Sequence, residues 1–181
     1  MARGRRRIQK KISHKGKREM TVAYADPPYA GKAKMYGVDE TIDQALFLQH
    51  LDRTFPDGWA YSLSSSHLKY ALRERAAQEA RVAAWVKPWA VFRPGVNPAY
   101  AWEPVLFKPA RRGRRNKATV RDFVIENAVM SGPCKGRKPE GFCYWLFDLL
   151  QMEPSDEFID LFTGSGEVEH CWNRWRAWKS E

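Results

Sequence analysis

Five short apolar runs and four stretches with helical spacing organise this sequence. Residues 21–25, 59–63, 81–86, 101–107 and 157–162 are runs of apolar, β-branched or aromatic side chains bounded by turn formers, the pattern of buried strands. Pro104 inside the fourth run points to an edge strand or a bulge. Residues 39–55 place Ile42, Ala45, Leu46, Leu48 and Leu51 roughly on one helical face, with Asp39 or Thr41 as N-cap. Residues 67–80 are a helix by propensity, residues 139–151 a helix with Pro139 at its first position, and residues 166–179 a closing helix. Its apolar stripe comprises Val168, Cys171, Trp172, Trp175 and Trp178. Residues 89–100 read as a long loop, which includes the catalytic-looking Asn97-Pro98-Ala99-Tyr100. Strands alternating with helices predict an α/β fold with a largely parallel sheet.

A chain of 181 residues, 44% hydrophobic, suits one such domain. No apolar run reaches the roughly 20 residues of a membrane helix, and the start lacks the apolar core of a secretory signal. Cys134, Cys143 and Cys171 fit neither a disulfide framework nor a zinc site, so a reducing, cytoplasmic setting is expected. His67 and His170 have no ligand partners at metal spacing, and no metal is expected.

Charge changes the picture more. The net charge is +10, yet residues 3–18 carry nine basic side chains and residues 108–117 six, with no acid in either stretch. Removing these 15 from the 31 basic residues leaves 16 against 21 acids, so the remainder is about −5. Lys108, Arg111, Arg112, Arg114, Arg115 and Lys117 are therefore candidate phosphate contacts, in a loop expected beside the functional pocket. The first stretch reads equally as a solvated tail.

Two segments carry chemistry. Asp26-Pro27-Pro28-Tyr29 follows a buried strand, where α/β sheets place their ligands. A carboxylate at Asp26 and the Pro27 carbonyl can accept the two N–H groups of an exocyclic amine, drawing nitrogen toward a nucleophilic shape. The prolines fix the backbone, and Tyr29 can stack on an extruded base. Taken alone, the tetrapeptide has a plainer, less favoured reading as a proline turn after a strand. At the other end, Asp160-Leu-Phe162-Thr-Gly164-Ser165-Gly166 closes a strand and opens a helix, so its backbone can approach a ligand closely.

With Lys138-Pro139 between them, these segments resemble, in order, the motifs of the permuted, β-group S-adenosylmethionine-dependent amino-methyltransferases of adenine N6 and cytosine N4. Glu103-Pro-Val-Leu-Phe107 also looks like a late strand of such domains. The resemblance implies a Rossmann-like methyltransferase sheet over residues 21–181 after a basic arm at 1–20, with residues 89–118 as the candidate target-recognition region. It implies catalysis by Asp26, Pro27, Pro28 and Tyr29, and a cofactor pocket formed by Ala25, Lys138, Pro139, Asp160, Phe162, Gly164, Ser165 and Gly166. Aspartate at position 26 favours adenine N6 in DNA; the alternatives are an RNA adenine methyltransferase or a catalytically silent nucleic-acid-binding relative. In the family a further strand ends in an acid that holds the cofactor ribose. This sequence ends at Glu181, so a C-terminally truncated sheet is expected: either Glu167 or Glu169 holds the ribose, or cofactor affinity is weak, or a second copy or partner chain completes the pocket.

Overall fold

The computed structural model describes residues 18–28, 43–89, 94–113, 118–130 and 137–181. The basic arm up to residue 17, Tyr29, the two cap candidates Asp39 and Thr41, and Arg114, Arg115 and Lys117 lie outside them.

The chain order is β1 (Thr21–Ala25), α1 (Gln44–Thr54), β2 (Gly58–Ser62), a 3₁₀ turn (Ser65–His67), α2 (Leu68–Ala71), α3 (Arg75–Gln78), β3 (Arg81–Val86), β4 (Trp102–Lys108), β5 (Phe123–Ile125), α4 (Glu140–Leu149), β6 (Glu157–Asp160) and α5 (Glu167–Ser180). The strands form one sheet in the order β5-β3-β4-β2-β1-β6. β1 pairs in parallel with β2 and β6, and β3 in parallel with β5, whereas β4 is antiparallel to both its neighbours. Five strands therefore run one way and β4 runs back.

Alternation along each strand builds two cores. Val22 and Tyr24 of β1, Trp85 of β3 and Val105 and Phe107 of β4 pack against α4 and α5, through Phe142, Leu146, Phe147, Trp172 and Trp175. Ala23 and Ala25, with Trp59 and Tyr61 of β2 and Leu106, face α1 through Leu48 and Leu51. The result is a three-layer α/β/α sandwich. The sequence-predicted stripe of α5 is buried at Val168, Cys171, Trp172 and Trp175. Trp178, however, is exposed and stacks on Tyr144.

Several expectations change in detail. The N-cap of α1 is Asp43, whose carboxylate accepts from the N–H groups of Ala45 and Leu46 at 2.9 and 3.2 Å. Pro139 is the N-cap of α4, with an extended ψ of 157°, rather than its first helical residue. The segment expected as one helix over 67–80 breaks after Ala71, with Glu74 extended at ψ 139°. The break lets the short helix α3 bury Ala76 and Ala77 while the Glu74 carboxylate accepts from Gln49. Strand β5 was not expected; three residues are too short to show a periodicity.

Pro104 sits in an interior strand, not at an edge. Its carbonyl accepts from Leu63 N–H at 3.2 Å, just beyond Ser62↔Val105, the last pair of β2 with β4. A residue's N–H and C=O leave a strand on the same side. The missing donor of Pro104 therefore faces Leu63, the return bond to the Leu63 carbonyl cannot form, and the pairing of β2 with β4 ends there.

Candidate active site

In a sheet with five parallel strands, the carboxyl ends of β1, β2, β3, β5 and β6 share one edge. The reversed strand β4 brings its beginning, Trp102 and Glu103, to that same edge. Asp26 follows β1 directly, and β6 ends at Asp160, paired with Tyr24.

Lys138 ties these elements together. It rises from the start of α4, only 8% exposed, with its ammonium 4.7 Å from the Trp85 ring centroid and 5.5 Å from that of Phe142. Its Nζ lies 2.9 Å from Asp26 Oδ2 and 3.4 Å from Glu103 Oε2, and Lys87 pairs with the other oxygen of Glu103. The Asp26 side chain retains 30% exposure. The lysine is thus the hidden partner and the carboxylate is the part that can meet a ligand. Burial pushes the Asp26 pKa up, with help from the Glu103 charge, against the pull of Lys138 and Lys87. Burial alone would lower Lys138, but its two carboxylate neighbours outweigh that and hold it above the ordinary lysine value. Both directions follow from one arrangement: a charged pair desolvated at the edge of the sheet, with an excess of acid around one cation.

Asp160 belongs to the same field. Its Oδ1 accepts the N–H of Phe162 at 3.2 Å, shaping the turn after β6. Burial raises its pKa to about 6, only partly offset by that hydrogen bond, with Asp26 and Glu169 adding repulsion. A carboxyl held above its unfolded value destabilises the folded chain once ionised. Folding stability tied to Asp160 is therefore full below the ordinary aspartate value of 3.8 and is lost as pH rises through about 6. We expect Asp160→Asn to melt with wild type at acid pH, and above it once pH exceeds about 6. The gain is roughly 2–4 °C per kcal/mol relieved, less what solvent screens. Equal midpoints at both pH values would contradict this assignment.

Beyond Asp160, Gly164 and Gly166 have φ of 48° and 74°, the left-handed region that favours glycine. A Cβ on Gly166 would meet nothing within 4 Å, and one on Gly164 only the Phe162 carbonyl at 3.7 Å. The turn therefore opens onto free space in front of the N-terminus of α5. Ser165 lies exposed between the two glycines, whereas Phe162 packs edge-on against Phe47, 5.5 Å away, as part of the wall. Within α5's first turn, Glu167 pairs with Arg137 at 2.8 Å, while Glu169 is exposed and acts on Asp160 through its charge. Tyr61 is buried with its hydroxyl unpartnered among the described residues; burial and the Asp26 charge raise its pKa.

Of the residues singled out in the sequence, Ala25, Asp26, Pro27, Pro28, Lys138, Pro139, Asp160, Phe162, Gly164, Ser165 and Gly166 fall at this edge or on the elements that form it. Lys138 faces Asp26 rather than the glycine turn. Glu103, Lys87 and Tyr61 escaped the sequence reading. Glu103 alone had a signal, a single acid at the head of an apolar strand.

The basic loop is the main correction. Because β4 runs backwards, Lys108 pairs with Trp59 at the start of β2, at the opposite edge from Asp26. Its ammonium is 2.9 Å from Asp52 Oδ1. Arg111 is held by both oxygens of the buried Asp156, which precedes β6, and by the carbonyl of Arg18. Gly58 fixes this packing: a Cβ there would stand 2.9 Å from the Ala110 nitrogen. Lys108, Arg111 and Arg112 therefore do not sit beside the pocket, and Arg111 is an internal ion pair rather than a free phosphate contact.

Among the described residues, no cluster of His, Cys, Asp or Glu could hold a metal ion, and no helix is long and apolar enough to cross a membrane. No protein-family model and no curated protein matches the sequence. Solved structures that share the architecture include the M1.HpyAVI–SAM complex, at TM-score 0.60 and 16% identity over 87% of this chain and 79% of that one. M1.HpyAVI itself aligns at TM-score 0.52 and 15% identity, over 87% and 77%. The described sheet, with its reversed β4 and the glycine turn after β6, is thus a Rossmann-like α/β fold shared with those structures.

Proposed function

We propose that this chain is an S-adenosylmethionine-dependent methyltransferase acting on an exocyclic base amine, N6 of adenine in DNA. The observation that carries the reading is the Asp26 carboxylate, held by a buried lysine beside an open glycine turn on one edge of the sheet. The shared fold with M1.HpyAVI, whose structure includes SAM, supports the choice of cofactor. So does the turn itself, which leaves space where any side chain would intrude.

Gly164, Ser165 and Gly166 would hold the cofactor against the free N–H groups of α5, with Asp160 and Phe162 at its flank. Of the two acids suggested for the ribose, Glu169 is the one without an ion pair in the structure. When bound, the cofactor would supply an electrophilic methyl group on a sulfonium centre, its sulfur leaving as a neutral thioether. Asp26 and the Pro27 carbonyl would accept the two N–H groups of the amine, freeing the nitrogen lone pair from the ring. Nitrogen then sheds one proton, which Asp26 is placed to take because burial has raised its proton affinity. Alignment of amine and methyl group accounts for most of the rate gain.

Lys138 lowers the Asp26 pKa against the upward push of burial. We expect Lys138→Met to move the acid limb of the rate–pH profile upward and to lower the rate at neutral pH by roughly 10-fold or more, one pKa unit being a tenfold change in ionisation. The sign follows from loss of the cation that lowers Asp26. A profile that falls uniformly, with no shift of its limb, would mean that Lys138 only supports packing.

Exposed Trp89, Tyr100 and Trp102 lie on the chain between β3 and β4 at the same edge, and favour a second reading in which the base comes from single-stranded RNA. Rates on duplex DNA, single-stranded DNA and RNA of one sequence separate the two. Calorimetric titration with S-adenosylmethionine tests the cofactor independently; absence of binding would leave only a silent nucleic-acid-binding relative.

A further inference from the structure

The edge of the sheet opposite Asp26 carries a cleft of about 500 Å³, whose lining includes Arg81, Arg111, Arg112, Gly113, Thr119 and Gln151, and no carboxylate. Arg111 is committed to Asp156. Arg81 and Arg112 are exposed, and neither makes an ion pair among the described residues. Arg81 instead lies 5.2 Å over the Phe107 ring, so its guanidinium is positioned without being neutralised.

The carbonyl of Arg18 accepts from Arg111 Nη2 at 3.0 Å, which places Arg18 at this same edge. Planar guanidinium groups with no acid to satisfy them suit phosphate oxygens.

We propose that this arginine cleft grips the phosphate backbone of the nucleic-acid substrate at a point remote from the reacting base. The inference rests on the nucleic-acid reading above and adds where, and over what length, the polymer is held. Strand β4 runs from the reaction edge to the cleft edge. Its seven residues, at about 3.3 Å each, set a separation of at least about 20 Å. A duplex advancing about 3.4 Å per base pair must exceed about six base pairs to engage both. Binding should therefore strengthen sharply with substrate length.

The test compares wild type with the Arg81→Ala/Arg112→Ala double variant by fluorescence anisotropy across a salt series. The probes are a duplex of about 20 base pairs, long enough to reach both edges, a dinucleotide, and inorganic phosphate. We expect the variant to bind the duplex at least about 10-fold more weakly at moderate salt, with the slope of log affinity against log salt flattened by up to about two, at 0.9 per phosphate contact. Dinucleotide and S-adenosylmethionine affinities should stay as in wild type, which also shows that the variant is folded. The Arg81→Lys/Arg112→Lys variant should keep most of the slope. An unchanged duplex affinity and slope would overturn the proposal. So would a loss of inorganic-phosphate binding equal to the loss of duplex binding, which would make the cleft a small-anion site. None of these readouts needs methyl transfer, so a failure of the enzymatic reading would be seen separately.

Discussion

Asp26→Ala is expected to lower methyl transfer by about 10³-fold while leaving cofactor affinity within several-fold of wild type. Groups that act on the transition-state charge distribution are typically worth 10²–10³ in rate each. In the proposed reaction Asp26 has an additional share, because it would both accept the amine N–H and receive its proton. The variant is also a clean one. Removing a partner from a buried ion pair usually strands the other charge. Here Lys138 keeps Glu103 at 3.4 Å and remains over Trp85 and Phe142, so the fold retains its buried cation in a compensated setting. The carboxylate faces the amine and not the glycine turn, hence the small effect on cofactor. Labelled-methyl transfer and calorimetry on the same preparation check both halves. Retention of a tenth of the rate would remove Asp26 from the chemistry.

Gly164→Val is expected to weaken S-adenosylmethionine binding by at least about 30-fold, with a much smaller loss of nucleic-acid affinity. Two costs combine. A β-branched residue at φ 48° is strained by roughly 1–2 kcal/mol. Its side chain also enters the space that the turn now leaves open, where a Cβ meets only the Phe162 carbonyl at 3.7 Å. Gly166→Asn separates these costs, because asparagine tolerates the left-handed region at φ 74°. It should keep the melting temperature while still weakening cofactor binding. Equal losses of cofactor and nucleic-acid affinity in both variants would mean that the turn is merely structural.

Strand-forming runs were legible because each is short, apolar and bounded by turn formers, and the two motifs at the ends of β1 and β6 were legible because proline and glycine are needed there by backbone geometry. Parallel pairing then brought Asp26 and Asp160 together, as α/β alternation predicts. What the sequence hid was direction. Nothing in residues 102–108 announces that β4 runs backwards, yet that reversal delivers Glu103 to the reaction edge and carries Lys108 and Arg111 away from it. Pro104 misled for a related reason: its missing donor falls where the pairing of β2 with β4 ends. Lys138 was visible as half of a Lys-Pro pair. Its partners come from β1 and β4, far apart in the chain, and only packing reveals them. Arg111 was a candidate phosphate contact in the sequence, but Asp156 offers it a carboxylate whose side chain has no solvent exposure.

The central claim is that the Asp26 edge transfers a methyl group from S-adenosylmethionine to an exocyclic base amine. Its most direct test is incubation of the full chain with methyl-labelled S-adenosylmethionine and unmethylated duplex DNA, followed by digestion to nucleosides and separation. The account predicts label in N6-methyldeoxyadenosine, absent when Asp26→Ala replaces wild type. Label on a ring nitrogen or carbon, or no label in any nucleoside from DNA or RNA despite saturating cofactor, would contradict it.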